Sequence, residues 1–164
     1  MCLPNLLTLL TNLICFNMLY IASDHAGLQL KKHLINFIKA DLQQEIKDMG
    51  PEKFVETDDF PDYAIPLAKE VVKNDANMGI LVCGTGQGMC IAANKIKGAR
   101  AIVGYNIEGT EKGRQHNNAN IICLAGRILS EDFASAIVKK FLQTKFQNEE
   151  RFMRRNQKIE ALEK

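Results

Sequence analysis

The chain has no C-x-x-C pair, and its five cysteines, Cys2, Cys15, Cys83, Cys90 and Cys123, are odd in number. Neither a disulfide framework nor a zinc site is suggested, and a reducing, cytoplasmic setting is expected. Charge imbalance is also missing: 21 Lys and Arg face 19 Asp and Glu, for a net +2. Neither a nucleic acid nor a membrane is implied as partner. No Gly-Lys-Ser/Thr stands behind the glycines, so a phosphate-binding P-loop is excluded. There is no internal repeat and no low-complexity linker. A spanning helix needs about 20 apolar residues; the nearest approach, Leu3 to Phe16, is broken by Pro4, Asn5, Thr11 and Asn12, with Asn17 following.

That first segment has no basic residue before it and no obvious place in a fold. A secretory segment, a short hydrophobic anchor and an upstream extension from a misplaced start all compete, and the extension is favoured. Met18 is followed at once by Leu19-Tyr20-Ile21-Ala22, which has the character of a first core strand. Residues 1–17 are therefore expected to lie outside the fold and residues 18–164 to form a single domain, a length that buries a sizeable core.

From Met18 onward strand and helix patterns alternate, the mark of an α/β domain with a parallel sheet and right-handed crossovers. Strands are expected at 19–22, weakly at 45–49, at 80–82, 101–103 and 121–124. Helices are expected at 28–40, from the segment 58–63 to about 74, from the glycine loop to about 96, at 108–114, at 130–144 and at 148–163. The helix begun by Ser130 should bury Phe133, Ala134, Ile137, Val138, Phe141 and Leu142. The polarity of the second strand suggests a sheet edge.

The most informative stretch runs from Met78 to Lys95. Ile80-Leu81-Val82 is too apolar to be half-exposed and reads as a buried parallel strand opening onto a crevice. It ends at the thiol of Cys83 and passes through Gly84, Gly86 and Gly88 into a helix. Such glycines turn the backbone tightly and leave N–H groups facing outward, where an anion or a developing oxyanion is favoured. A dinucleotide fingerprint needs its third glycine three positions after the second, and here the interval is two. The plain alternative is a tight turn with a structural cysteine.

Ligands of an open parallel sheet bind outside the carboxyl ends of the strands. Collecting the residues just past each strand gives Asp24 and His25, Cys83 to Gly88, Asn106 and Arg127. Asp24 also suits a helix cap. His116 and Asn117, in the loop entering the fifth strand, reach the same place only from a neighbouring subunit or a folded-back loop. Arg151 and Arg155, at i and i+4, project from one helix face and suit a phosphate. Together these features point to a phosphorylated small molecule.

Ser23-Asp-His-Ala-Gly27, Asp59-Phe-Pro-Asp-Tyr63, Cys83-Gly-Thr-Gly-Gln-Gly88 with Ala92-Ala-Asn-Lys95, and Arg114-Gln-His-Asn-Asn-Ala-Asn120 with Gly126-Arg127 resemble the type B ribose-5-phosphate isomerases, sister to the galactose-6-phosphate isomerase subunits. The resemblance implies a flavodoxin-like α/β/α fold with a five-stranded parallel sheet and a C-terminal helix. It also implies a homodimer with shared sites, pairing of dimers into a tetramer being left open, and interconversion of ribose 5-phosphate and ribulose 5-phosphate with no cofactor and no metal. By position, Cys83 would take the C2 proton, the amides of Gly84, Gly86 and Gly88 with Thr85 would hold the enediolate oxygen, and His116 would open the furanose ring, with Asp24 assisting at the hydroxyls. His25, Arg151 and Arg155 would hold the phosphate, and Tyr63, Asn117 and Arg127 would line the site.

Met89 occupies the position where some members carry a glutamate base, so Cys83 is the credible base of this loop. Glu149-Glu-Arg-Phe152 departs from the Gly-Gly-Arg-His usual in the family, and its acids would weaken the clamp if they faced inward. Isomerisation of a six-carbon sugar phosphate, such as allose 6-phosphate or galactose 6-phosphate, is the nearest rival, followed by a non-catalytic sugar-phosphate-binding protein. Cys90 and Cys123 are expected to fill core space, and Cys83 with Cys90 lacks the geometry of a redox pair.

Overall fold

In the computed structural model, which describes residues 17–163, five parallel strands form one sheet. They are β1 (Leu19–Ser23), β2 (Lys47–Asp48), β3 (Met78–Cys83), β4 (Ala101–Val103) and β5 (Ile121–Ala125), in the order β2-β1-β3-β5-β4. The helices are α1 (Leu28–Ala40), α2 (Pro61–Val71), α3 (Gln87–Ala93), α4 (Ile107–Asn117), α5 (Glu131–Gln143) and α6 (Glu150–Glu160). Residues 1–16, most of the expected extension, lie outside the described residues. Asn17 is described and bonds to the turn before β3, its N–H donating to Ala76 O at 2.9 Å.

The sheet is a core element because β1, β3 and β5 are buried on both faces. Alternate side chains divide between two layers. Leu19, Ile21, Ile80, Val82, Ile122 and Leu124 pack with Leu30, Leu34 and Ile38 of α1 and with Ile137, Val138 and Phe141 of α5. On the other face Tyr20, Ala22, Leu81, Cys83, Ile121 and Cys123 pack with Leu67, Ala68 and Val71 of α2 and with Met89 and Ala93 of α3. The three layers and the parallel sheet agree with the expectation; the fifth strand is inserted between the third and fourth.

This wiring places a crevice. The helix after β1 lies on one face and the helix after β3 on the other, so the carboxyl ends of these neighbouring strands are left uncovered between them, as at any switch point of a doubly wound sheet. The register finishes the three central strands level, with Ser23 opposite Val82 and Cys83 opposite Ala125. A glycine is required where β1 leaves the sheet: a Cβ on Gly27 would stand 2.1 Å from Val82 O.

Four expectations are corrected. The fourth helix extends to Asn117, so His116 and Asn117 occupy its last turn and not a loop. Asn106 caps its start, accepting the Gly109 N–H at 2.6 Å, and Asn118 ends it at φ +48°. The third helix stops at Ala93, three residues early, because the Asn94 side chain accepts from Ala101 N–H (2.8 Å) and donates to Ala101 O (2.9 Å), turning the chain back to β4. Phe133 is 38% exposed, since it flanks the stripe centred on Ala134, Ile137, Val138 and Phe141. The last helix is confined to Glu150–Glu160.

Candidate active site

Cys83, the last residue of β3, is buried, and its Sγ accepts the Gly86 N–H at 3.2 Å. Gly86 takes φ +77°, a left-handed conformation that suits glycine, and stands at the N-cap of α3. The loop is sewn to β5, with Gly126 N–H donating to Cys83 O at 2.7 Å and Arg127 N–H to Gly84 O at 3.1 Å. The Arg127 side chain lies against Gly84, so a cation crosses the loop mouth. Thr85 is exposed there, its Oγ1 accepting from Gln87 N–H at 3.4 Å. Gly88 lies under the Phe60 ring, which a Cβ would meet at 2.8 Å.

Beside this loop, Asp24 performs the capping role open to it: Oδ1 accepts the Gly27 N–H at 3.0 Å. Burial pushes its carboxyl above the usual range, against the pull of that N–H and of His25. The His25 ring Nδ1 lies 2.6 Å from Asp58 Oδ1, which also accepts the His25 backbone N–H at 3.2 Å. Tyr63, near the start of α2, has its phenol pushed upward by partial burial and then by Asp58. Asp24, His25, Asp58, Tyr63, Cys83 and Arg127 thus converge at one end of the sheet.

His116, Asn117, Arg151 and Arg155 do not join them within the chain. The last turn of α4 leads into the amino end of β5, and the four steps along that strand alone separate it from the Cys83 end by on the order of 13 Å. His116 instead stacks on Phe152 of α6, ring centroids 4.1 Å apart at 16°. Asn156 fastens the two helices, donating to His116 O at 3.0 Å. Arg155 and His116 line one open cavity of about 590 Å³ that runs along β4, with Cys90, Tyr105, Asn117 and Phe152. Arg151 is turned aside: its Nε pairs with Glu149 Oε2 at 2.8 Å and its guanidinium sits 4.5 Å from the Phe152 ring. The acid beside the clamp does engage it.

Cys90 packs against the core, as expected of it, and also lines that cavity. It is partly buried there, while Cys123 beneath it is fully buried. A hydrogen bond with Cys123 lowers the Cys90 thiol, and burial raises that of Cys123. Asp58, Phe60, Phe152 and Asn156 are site neighbours that sequence reasoning did not assign. The Asp59–Tyr63 run, which adjoins Asp58 and contains Phe60, was the signal near the first two. Among the described residues no three His, Cys, Asp or Glu side chains are grouped as metal ligands, and no helix is long and apolar enough to cross a membrane.

One end of the sheet therefore offers a thiol, a donor-lined glycine loop, a carboxyl and a cation; the β4 edge offers an imidazole and a second cation. Residues 19–159 match the family model described as Ribose/Galactose Isomerase. A probable ribose-5-phosphate isomerase B of Mycoplasma genitalium is 43% identical over 147 residues, 89% of this chain and 95% of its own. The crystal structure of ribose-5-phosphate isomerase B from Mycoplasma genitalium with bound ribulose-5-phosphate matches at TM-score 0.85 and 42% identity, over 90% of this chain and 98% of that one. D-erythrulose-4-phosphate isomerase 2 of Mycolicibacterium smegmatis is 33% identical over 77% of this chain and 84% of its own.

Proposed function

The chain belongs to the ribose/galactose isomerase family, and on that premise we propose that it interconverts ribose 5-phosphate and ribulose 5-phosphate, in the cytoplasm and within the non-oxidative pentose phosphate pathway. The observation that carries this reading is Cys83 seated at the mouth of a glycine loop, with Asp24 and Arg127 beside it.

Moving a carbonyl from C1 to C2 needs a base at C2, donors for the enediolate and a group that opens the sugar ring. Cys83 takes the C2 proton and returns it at C1. The amides of Gly84, Gly86 and Gly88, with the Thr85 hydroxyl, hold the enediolate oxygen. Asp24 bonds a sugar hydroxyl, while Tyr63 and Arg127 line the cleft and His25 faces the phosphate. The reaction requires no cofactor.

His116 opens the furanose ring, and Asn117, Arg151 and Arg155 join the phosphate end. Because these four lie at the β4 edge, a homodimer supplies them: the partner subunit's His116 completes the site of each Cys83. Arg155 leads the clamp, since Arg151 must first leave Glu149.

The direct test follows ribulose 5-phosphate formation in the presence of a chelator, for the wild type and for Cys83→Ala. Activity in the first and a loss of about 10²–10⁴-fold in the second are expected. Folded wild-type protein without activity would refute the reading. Ribose, allose, galactose and erythrose phosphates assayed side by side fix the chain length preferred, a choice made pertinent by the erythrulose-phosphate relative. Mixing Cys83→Ala with His116→Ala and allowing subunits to exchange should restore roughly a quarter of wild-type activity; no recovery would reject the shared site.

A further inference from the structure

Asp58 lies in the segment between β2 and α2, outside the strand-end positions from which the candidate site was assembled. Its side chain is only 6% exposed, yet among the described residues no cation is recorded against it except His25. Oδ1 takes two donors from that one residue, the ring Nδ1 at 2.6 Å and the backbone N–H at 3.2 Å. Among the described residues no donor meets Oδ2, which is buried, in hydrogen-bond geometry, although the Tyr63 phenol is close enough for Asp58 to push it upward. A carboxylate used merely to fasten its loop would need the backbone bond alone, and leaving one oxygen of a buried carboxylate unpaired is costly.

The same segment holds the ring from a second side. Phe54 meets the His25 imidazole edge-on, with centroids 5.8 Å apart at 79°. With Nδ1 committed to Asp58, the ring proton resides there, and Nε2 is the nitrogen left for a ligand; among the described residues no protein atom bonds it. A histidine whose far nitrogen is anchored by a carboxylate has its rotation and tautomer fixed before any ligand arrives.

We infer that Asp58 is a positioning residue of the isomerase site, holding the His25 ring so that Nε2 is presented to the substrate's phosphate. The inference deepens the proposed function and rests on its placement of His25 at the phosphate. The preorganised ring contributes to binding in ground and transition states alike. Loss of Asp58 therefore appears in KM and leaves kcat nearly intact. Asparagine at this position can still accept from Nδ1–H and from the backbone N–H, so the geometry, not the charge, is what must be retained.

The experiment measures kcat and KM for ribose 5-phosphate in wild type, Asp58→Ala, Asp58→Asn, His25→Ala and the His25→Ala/Asp58→Ala double variant, each checked for folding by its circular-dichroism melt. Asp58→Ala should raise KM about 5–20-fold with kcat within about twofold, and Asp58→Asn should stay within about threefold of wild-type KM. The double variant should match His25→Ala alone. Asp58→Ala with unchanged KM beside a raised KM for His25→Ala overturns the inference, as does an Asp58→Ala effect that persists in full without His25. An unchanged KM in His25→Ala overturns the placement of His25 itself, and the inference with it; that failure is read from the His25 variant alone. Should Asp58→Ala not fold, Asp58→Asn and Asp58→Ser carry the same comparison, serine being too short to reach Nδ1.

Discussion

Replacing Arg114 by methionine should cost about 1.5 kcal/mol of stability, and the figure follows from three contacts and one burial. Arg114 is almost wholly enclosed, and among the described residues no carboxylate is paired with it. Its Nε donates to Thr144 O at 3.1 Å, and one terminal nitrogen donates to Asn118 Oδ1 at 3.3 Å and to Ala119 O. These acceptors lie at the C-terminal ends of α4 and α5, where helix carbonyls lack intrahelical donors. Charge-assisted bonds contribute about 1.5–3 kcal/mol each, so the three together give about 4.5 kcal/mol at the lower end. Against this, burial and then Arg100 push the guanidinium down to about 10, a cost on the order of 3 kcal/mol. The difference is what methionine removes. In a domain of this size it should lower Tm by roughly 3–6 °C. Lysine should not rescue it, because one ammonium cannot fork across acceptors from two helix ends. Urea and thermal melts of Arg114→Met and Arg114→Lys decide it. A methionine variant within about 1 °C of wild type would show that the burial cost cancels the bonds and that the argument is wrong.

Asp24→Asn should raise Tm at pH 7 while depressing activity, since Asn keeps the cap to Gly27. The folded-state carboxyl sits above its unfolded value, so its ionised form costs stability as pH rises through that raised value. The gain in Tm should therefore shrink toward pH 4, and an equal gain at both pH values would contradict the assignment. Lys31, buried in α1, bonds Asp48 at 2.7 and 2.8 Å and Pro51 O at 2.7 Å. With Asp48 partly exposed, Lys31→Met should cost about 2 kcal/mol, below the range for a fully buried pair, in denaturant melts. Arg155→Ala should raise KM for ribose 5-phosphate more than Arg151→Ala, by steady-state kinetics; the reverse order would show that Glu149 releases Arg151 in the complex. A protein begun at Met18 should match the full chain in specific activity, and a large loss would assign the first segment a role in the fold.

Local sequence and tertiary packing agree in α1 and β4. The range 28–40 matches α1 to the residue, because its apolar spacing is regular and the turn capped by Asp24 leads straight into it. Ala101–Val103 was likewise expected as found. The last turn of α4 was missed because Gln115-His-Asn-Asn reads locally as a turn, whereas Arg114 and Asn156 hold it in a helix through partners far along the chain. The strand-end rule brings Asp24, His25, Cys83 and Arg127 to one end of the sheet because parallel topology alone fixes that end, whereas Asn106, gathered with them, caps α4 and lines the cavity of His116. No such rule reaches Asp58, whose place depends on the path of an irregular segment. Separation of His116 from Cys83 was legible from strand order; its stacking on Phe152 was not.

The side chain of Asn94 has a bearing on how this protein withstands crowding. Gly104 N–H donates to Cys123 O and Arg100 O accepts from Ile121 N–H, so the even-numbered positions of β4 face β5 and Ala101 and Val103 face outward. Asn94 already satisfies both polar groups of Ala101, leaving Val103 as the one strand residue whose outward groups remain to template a foreign chain. An edge that can accept only a single residue's worth of ladder offers little purchase for runaway strand addition. Loss of that amide, as in Asn94→Leu, would lengthen the sticky edge without touching the core, turning a colloidally quiet surface into one that seeds aggregates.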